Sequence, residues 1–370
     1  MKVVKLKDIC TKGSSSLKQK DVQNGNGQYP VYGAGGIAGY IDSYHQEKEY
    51  IGIVKDGSGI GRVMFLPPKS SVIGTLQYIL PKPGYDINYI GYCLKSLDLA
   101  SHKQGAAIPH IYFKDYGEKL VNIEESLDEQ RKIVARLNAT FERIDKMQSN
   151  AETALEEARG VLAQIIRNSF IPSINWDEKS VGELSTDIRY GTSKPSCESG
   201  KYKYLRMNNI TSDGHLTLKD TKTISLEGAE YEKAVVRKGD ILFNRTNSLE
   251  HVGKTCLFDQ DEEMIIAGYL IRVRLNEEVI PEYLTYYLNC DTTKTTLRKL
   301  AIGAVHQANI SASSLKKVMI KYPKSKLEQE QIVSQIKEIE GRIRVLKCNL
   351  DTITEKCNSL KQAILKETFE

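Results

Sequence analysis

Apolar residues near the end of the chain fall on one helical stripe. Ile332, Ile336, Ile339, Ile343, Leu346, Leu350, Ile353, Cys357, Leu360 and Ile364 are spaced alternately four and three apart. This is the a/d pattern of a helix that winds left-handedly around a partner. A similar stripe lies in the middle of the chain, at Ile133, Leu137, Phe141, Ile144, Met147, Ala151, Leu155, Ala158, Leu162 and Ile165. Neither segment contains proline, and Gly160 and Gly341 are their only glycines. The spacing predicts long helices over 126–170 and 326–370.

The two stripes belong to one internal repeat. Laying Glu129-Gln130 on Glu328-Gln329 without gaps places Ile133-Val134 on Ile332-Val333, Arg143-Ile144 on Arg342-Ile343, Asn150 on Asn349, Thr153 on Thr352 and Glu156 on Glu355. The match runs on through Ile165 and Ile364 to Phe170 and Phe369. Each helix follows a longer globular segment, 1–125 and 171–325, so the order is globule, helix, globule, helix. The nearest partner for each stripe is the other copy. Antiparallel pairing would set two heads at opposite ends of a strut on the order of 60 Å long. The alternative is two separate helices that recruit other proteins or another copy of the chain. The expected fold is α+β: two mixed α/β heads joined by an antiparallel coiled coil, with approximate two-fold symmetry.

Within the heads the period changes to that of strands. Glu49–Val54, Gly61–Phe65 and Leu76–Leu80 alternate with glycine-rich turns at 25–27, 33–36 and 57–61. The second head has comparable runs at Tyr202–Arg206, Asp240–Phe243 and Leu270–Leu275, and Pro281–Asn289 reads as a short helix matching Ile87–Leu94. The heads also resemble each other at their ends, where the run Gln104 to Ile111 echoes Ile302 to Ile310. Elsewhere they differ, although the helices have stayed alike. Similar struts bearing dissimilar heads suggest two different recognition targets.

Composition narrows the chemistry. The 370 residues carry a net charge of +5, and both helical segments are charge-balanced, so the positive excess lies in the heads. An excess of this size permits nucleic-acid binding without demonstrating it. The seven cysteines are scattered and never form a C-x-x-C pair, which fits reduced thiols and gives no basis for a zinc site. No apolar run is long enough to span a bilayer, and the lysine-rich N-terminus lacks a signal-peptide stretch, so a cytoplasmic location is expected.

Patterns that suggest catalysis fail on inspection. His251-Val252-Gly253-Lys254-Thr255 ends like a P-loop, but Ser248 stands where the first glycine is required. Gly57-Ser58-Gly59-Ile60-Gly61 is too short for a dinucleotide fingerprint and closes before a strand. No Asp/Asn-Pro-Pro-aromatic tetrad is present, no proline is followed by Asp, and the six histidines are isolated. No catalytic residue and no metal ligand can therefore be nominated.

What remains are loops carrying the groups that contact nucleic acid. In the first head these are Tyr29 to Tyr40, with Tyr32 among its glycines, and Lys55 to Arg62, with Ser58. In the second they are Arg189-Tyr190-Gly191-Thr192-Ser193-Lys194, Arg206-Met207-Asn208-Asn209 and Asn244-Arg245-Thr246-Asn247-Ser248. Arginine can bind guanine bidentately and Asn or Gln can bind adenine, whereas Lys and Ser/Thr mostly position phosphates. Each loop taken singly is an ordinary polar turn; their recurrence in both heads favours recognition. Lys55, Arg62 and Gln104 are the base-contact candidates of the first head, and Asn208, Asn244, Arg245 and Gln307 those of the second. Lys194 and Lys254 are the phosphate candidates, and Tyr32, Ser58, Tyr190, Ser193, Arg206 and Asn247 complete the expected nucleic-acid-binding set. Ile133, Leu137, Phe141, Ile144, Leu155, Leu162, Ile336, Ile343, Leu350 and Leu360 are the expected seam positions of the two long helices.

Along its whole length the chain resembles the specificity subunit of type I restriction–modification systems. The motifs that carry the likeness are Tyr29-Pro-Val-Tyr-Gly-Ala-Gly-Gly, Tyr190-Gly-Thr-Ser-Lys-Pro195, Lys238-Gly-Asp-Ile-Leu-Phe-Asn-Arg245 and the Leu/Glu/Gln run opening each helix at Leu127 and Leu327. The resemblance implies that each head reads one half of a split, asymmetric site in double-stranded DNA. It implies that the helices form the spacer and dock modification subunits, which methylate adenine N6 with S-adenosylmethionine; the approximate two-fold symmetry of the chain leads to an expectation of two of them. A restriction subunit would add ATP- and magnesium-dependent translocation and cleavage. The chain itself would bind no cofactor and be non-catalytic. A different class of reading is a coiled-coil scaffold whose heads bind proteins or glycans.

Overall fold

The computed structural model describes residues 1–23, 25–105, 109–304 and 307–369. The chain divides into two compact units, one formed by Met1–Glu152 with the segment from Asn349 onward, the other by Thr153–Cys348. Each unit holds one head and a stretch of both long helices, which run Leu127–Ser169 and Lys326–Phe369.

In the first unit, strand Tyr50–Val54 (YIGIV) is buried at every residue. It lies inside an antiparallel sheet in the order Cys10–Ser14, Leu76–Pro81, Tyr50–Val54, Val63–Leu66. A continuous apolar run is what a strand covered on both faces requires. A second sheet pairs Tyr29–Gly33 antiparallel with Gly36–Ile41 and parallel with Ser71–Val72. The short helix Ile87–Ser96 starts where Asp86 caps it, its carboxylate accepting from Asn88 N at 2.9 Å and Tyr89 N at 3.0 Å. Before the central helix begins, Leu120–Ile123 pairs with the N-terminal strand Lys2–Lys5.

The second unit repeats that frame with a different filling. Trp176–Ser180 pairs with Met319–Pro323 immediately before the C-terminal helix, and the helix Pro281–Asn289 stands where Ile87–Ser96 stands in the first. Its two main sheets have four strands each, against four and three in the first unit. One has the order Ser185–Tyr190, Leu270–Leu275, Ile241–Asn244, Thr255–Leu257, and another Lys222–Ile224, Tyr202–Leu205, Met264–Ile266, Val235–Val236. Arg272 is buried within the first of these sheets at 1% exposure. Its Nη1 donates to the Val235 carbonyl and its Nη2 pairs with the Asp187 carboxylate.

Helix pairing is antiparallel in both units. In the first, Leu137 of the central helix shares a core with Leu365 and Phe369 from the end of the C-terminal helix, with Ile133, Phe141 and Ile364 at its margin. Lys361 pairs with Asp145 across the two helices. In the second, Phe170, Leu162 and Ile166 from the end of the central helix pack with Ile332, Val333 and Ile336 near the start of the C-terminal one. Phe369, at the end of the C-terminal helix, and Phe170, one residue past the central helix, each pack edge-on against a tyrosine of a short head helix, Tyr89 and Tyr283 respectively.

The seam is less uniformly covered than a strict a/d reading expects. Leu137, Ile144, Leu155 and Ile336 are buried; Ile133, Phe141, Leu162, Ile343 and Leu350 are half-buried. Met147, Leu346 and Leu360 are exposed. Where a head backs the helices, a second face is buried as well, at Val134 and Val333. A two-helix contact leaves one flank of its seam open wherever nothing else packs on it.

Candidate nucleic-acid interface

In the first head, three loops meet beside the strand Tyr50–Val54. The backbone of Lys55 bonds both to Thr75 O at 3.0 Å and to Ile111 N at 2.9 Å, and Gly57 N reaches Pro109 O at 3.1 Å. Gln104 and His110 exchange two backbone hydrogen bonds of 2.8 Å. The sequence-nominated Lys55, Arg62 and Gln104 are thereby brought onto loops that touch one another. Lys55 Nζ lies 2.6 Å from one oxygen of Asp56, and His110 Nδ1 lies 2.6 Å from the other. Burial alone raises the Asp56 carboxyl, but the hydrogen bonds from Lys55 and His110 outweigh it and hold the group below its usual range.

Arg62 is exposed and donates from Nη1 to the Ala34 carbonyl at 3.0 Å, tying this turn to the 33–36 turn. The turn at 57–61 bends through three glycines with φ of +82°, +84° and +82°. At Gly61 a Cβ would also lie 2.8 Å from Ala100 N, so the position excludes any side chain on both counts. Ser58 is exposed at its tip, Tyr32 is half-buried in its strand, and Gln104 donates to the Asp115 carboxylate at 3.0 Å. Of the paired head ends noted in the sequence, Ala106, Ala107, Ile108, Val305 and His306 lie outside the described residues.

In the second head a cleft of about 320 Å³ gathers Ser193, Arg245 and Gln307 with Tyr204, Thr246, Gly268, Tyr269 and Asn309. Arg245 is held over the Tyr190 ring, 4.8 Å from its centroid. Lys194 and Ser193 are exposed at the rim, and Asn247 is half-buried beside the cleft. The remaining nominated residues are differently placed. Asn208 is exposed on the short turn Met207–Asn209, and Arg206 donates from Nη2 to the Asp220 carbonyl at 2.9 Å. Its neighbour Asn209 is the structural amide, donating to Thr217 O and Lys219 O. Lys254 is half-buried and donates to the Ile210 carbonyl at 2.6 Å, and burial lowers its ammonium below the ordinary value. Asn244 is fully buried with both amide atoms unpartnered, so in this structure it presents no edge to a ligand.

The sequence reading did not nominate Tyr269 and Asn309 in this cleft, or His110 in the first head, and it named Thr246 and Asp56 only as members of their loops. Tyr269 is 52% exposed and follows Gly268, as the 41% exposed Tyr40 follows Gly39. That shared glycine–tyrosine step was the available signal. Among the described residues no cluster of His, Cys, Asp or Glu could hold a metal ion, and no helix is long and apolar enough to cross a membrane.

These features define a two-headed protein whose exposed guanidinium, amide and ammonium groups lie on loops in each half. The chain belongs to the family of the type I restriction modification DNA specificity domain, whose model matches twice, over residues 1–157 and 173–355. It is 26% identical over 254 residues to the type I restriction enzyme EcoKI specificity subunit of Escherichia coli strain K12, covering 67% of this chain and 54% of that one. It is 28% identical over 201 residues to the putative type I restriction enzyme MjaX specificity subunit of Methanocaldococcus jannaschii, covering 53% of this chain and 45% of that one. The chain thus spans about half the length of the curated relatives it matches. In fold it is similar to a chain from a structure of the type I R-M system, with a TM-score of 0.72 at 18% identity, covering 99% of this chain and 96% of that one. It is also similar to the HsdS subunit from Thermoanaerobacter tengcongensis, with a TM-score of 0.54 at 18% identity, covering 99% and 95%.

Proposed function

We propose that this chain is the DNA sequence-specificity subunit of a type I restriction–modification complex. Each head reads one half of a bipartite, asymmetric site in double-stranded DNA, and the helices set the spacing between the halves. The observation that carries this reading is the doubled family match, one copy for each head with its following helix. The loops of each head support it, because they present hydrogen-bonding groups of the kinds that read base edges and hold phosphates. The helices support the spacer role, since each runs unbroken from one compact unit into the other.

The helices also dock the partners in this account. Met147 and Leu346 are repeat equivalents, as are Val161 and Leu360, and all four are exposed apolar side chains, at 65%, 43%, 57% and 51%. Met147 and Leu360 belong to the first unit, Val161 and Leu346 to the second. Apolar positions left uncovered twice at the same point of a repeat favour two docking places for one kind of protein. Two modification subunits occupy them and supply adenine-N6 methylation with S-adenosylmethionine. A restriction subunit supplies ATP- and magnesium-dependent translocation and cleavage. The chain contributes recognition and no chemistry of its own.

Methylome sequencing of a host carrying the gene, beside a strain lacking only this gene, tests the role. Loss of adenine methylation at one bipartite motif is expected, and an unchanged methylome would overturn it. Native mass spectrometry of the complex should show two modification subunits per chain; saturation at one would contradict the paired docking places.

A further inference from the structure

One guanidinium in the second head is fixed before any ligand arrives. Arg245 stacks on the Tyr190 ring, and its Nη1 donates to the Gly268 carbonyl at 3.3 Å. The backbone there is pinned on both sides, with Arg245 N donating to Tyr269 O at 3.0 Å and Arg245 O accepting from Ile310 N at 2.9 Å. Tyr190 is itself anchored. Its strand pairs with Leu270–Leu275, and its hydroxyl accepts from Ala312 N at 2.7 Å. The Arg245 Nε is buried without a hydrogen-bond partner, so the terminal nitrogens are what the side chain offers to the cleft. Arg189, Arg237, Arg272 and Arg274 of the same head each hold a carboxylate. Arg245 has no such ion pair among the described residues.

We infer, building on the DNA-reading role proposed above, that Tyr190 is a positioning residue that presents Arg245 end-on to a guanine in the half-site of the second head. A guanidinium has donors and no acceptor, and guanine alone offers two adjacent acceptors, O6 and N7, on its major-groove edge. Adenine and thymine each offer one there, and cytosine offers a donor. An oriented fork discriminates among these edges only if it cannot swivel, and that constraint is what the Tyr190 face and the Gly268 carbonyl impose. A phosphate accepts an arginine from many directions and needs no such fixing. The freely exposed Lys194 at the rim is the group suited to it.

The test compares methylomes from strains expressing the full chain with its modification subunit, as wild type, Tyr190→Phe, Tyr190→Leu or Arg245→Lys. The wild-type motif should contain a guanine, on either strand, in the half altered by Arg245→Lys. Arg245→Lys and Tyr190→Leu should each relax that one position by about ten-fold, with every other position kept. Tyr190→Phe keeps the ring and should shift that preference by no more than about two-fold. Uniform loss of methylation with the motif intact in Arg245→Lys would mark a phosphate contact and overturn the inference. So would an unchanged motif in Tyr190→Leu. Because Tyr190→Leu can also unfold the head, Arg245→Lys stands as the independent arm. A wild-type strain with no motif dependent on this chain would instead remove the DNA-reading role itself, and this inference with it.

Discussion

Gln130 and Gln329 occupy the same point of the repeat, both fully buried, and make the same set of hydrogen bonds. Gln130 accepts from Asp86 N at 2.8 Å and donates to Glu124 O and Gly84 O; Gln329 accepts from Ile280 N at 2.9 Å and donates to Pro323 O and Glu278 O. Each stitches the first turn of a long helix to its head. The arginines nominated for reading are held in unlike ways. Arg62 is exposed and tethered by one bond to Ala34, whereas Arg245 is stacked, bonded and partly sunk into a cleft. The interiors differ too. The second head encloses Arg272 against Asp187, and Arg274 against the nearly buried Asp240. The first head's nearest counterpart is the more open Asp56 cluster. The joint between helix and head has been kept through the repeat, while the nominated loops and their supports have diverged. The proposed role, one kind of partner docked twice and two different sequences read, would require that division.

The largest test of this contrast is Asp187→Ala. It would strand a guanidinium that is 1% exposed, at a cost of about 3–5 kcal/mol in the second head. Chemical denaturation checks it, and a loss under about 1 kcal/mol would show that the ion pair is not what supports this sheet. Next come Gln130→Leu and Gln329→Leu, each leaving a part-buried backbone N–H and two backbone carbonyls without the glutamine amide. Each should lower stability by about 1–3 kcal/mol, and by similar amounts if the joints are equivalent. A large difference between the two would break the comparison.

A smaller effect is expected on acidification. The Asp56 carboxyl is lowered in the folded chain, so its stabilisation is complete above its unfolded value of about 3.9 and is lost as pH falls through the folded value below that. Asp56→Asn should remove roughly 1 kcal/mol at pH 6 and progressively less toward pH 3. Urea midpoints of both proteins across that range check the sign, and a deficit that grows in acid would contradict it.

The helices were legible because a 4-3 apolar spacing kept for ten positions is a local and redundant signal, and the repeat wrote it twice. The short head helices were legible from their likeness to each other, with Ile87–Leu94 extending to Ser96 in the structure and Pro281–Asn289 matching it. Strands were visible, but sheet order was not, since pairings such as Tyr29–Gly33 with Ser71–Val72 join distant segments. Charge was the poorest guide to exposure. Arg272 and Arg274 alternate in LIRVRL like solvent-facing residues, yet Arg272 is enclosed because Asp187 on the neighbouring strand neutralises it. Asn244 looked available for a base because an asparagine amide can bind adenine and the residue lies in a polar run. It shares the strand Ile241–Asn244 with Leu242, two positions earlier on the same face, and that face is core.

The most direct measurement of the central claim is a pair of methylomes, one from Arg62→Ala and one from Arg245→Ala, each expressed with the modification subunit. Two heads that read independently from a shared frame predict that Arg62→Ala relaxes one half of the motif and Arg245→Ala the other, with the spacing unchanged in both. Relaxation of the same half by both substitutions, or a change of spacing by either, would contradict the account.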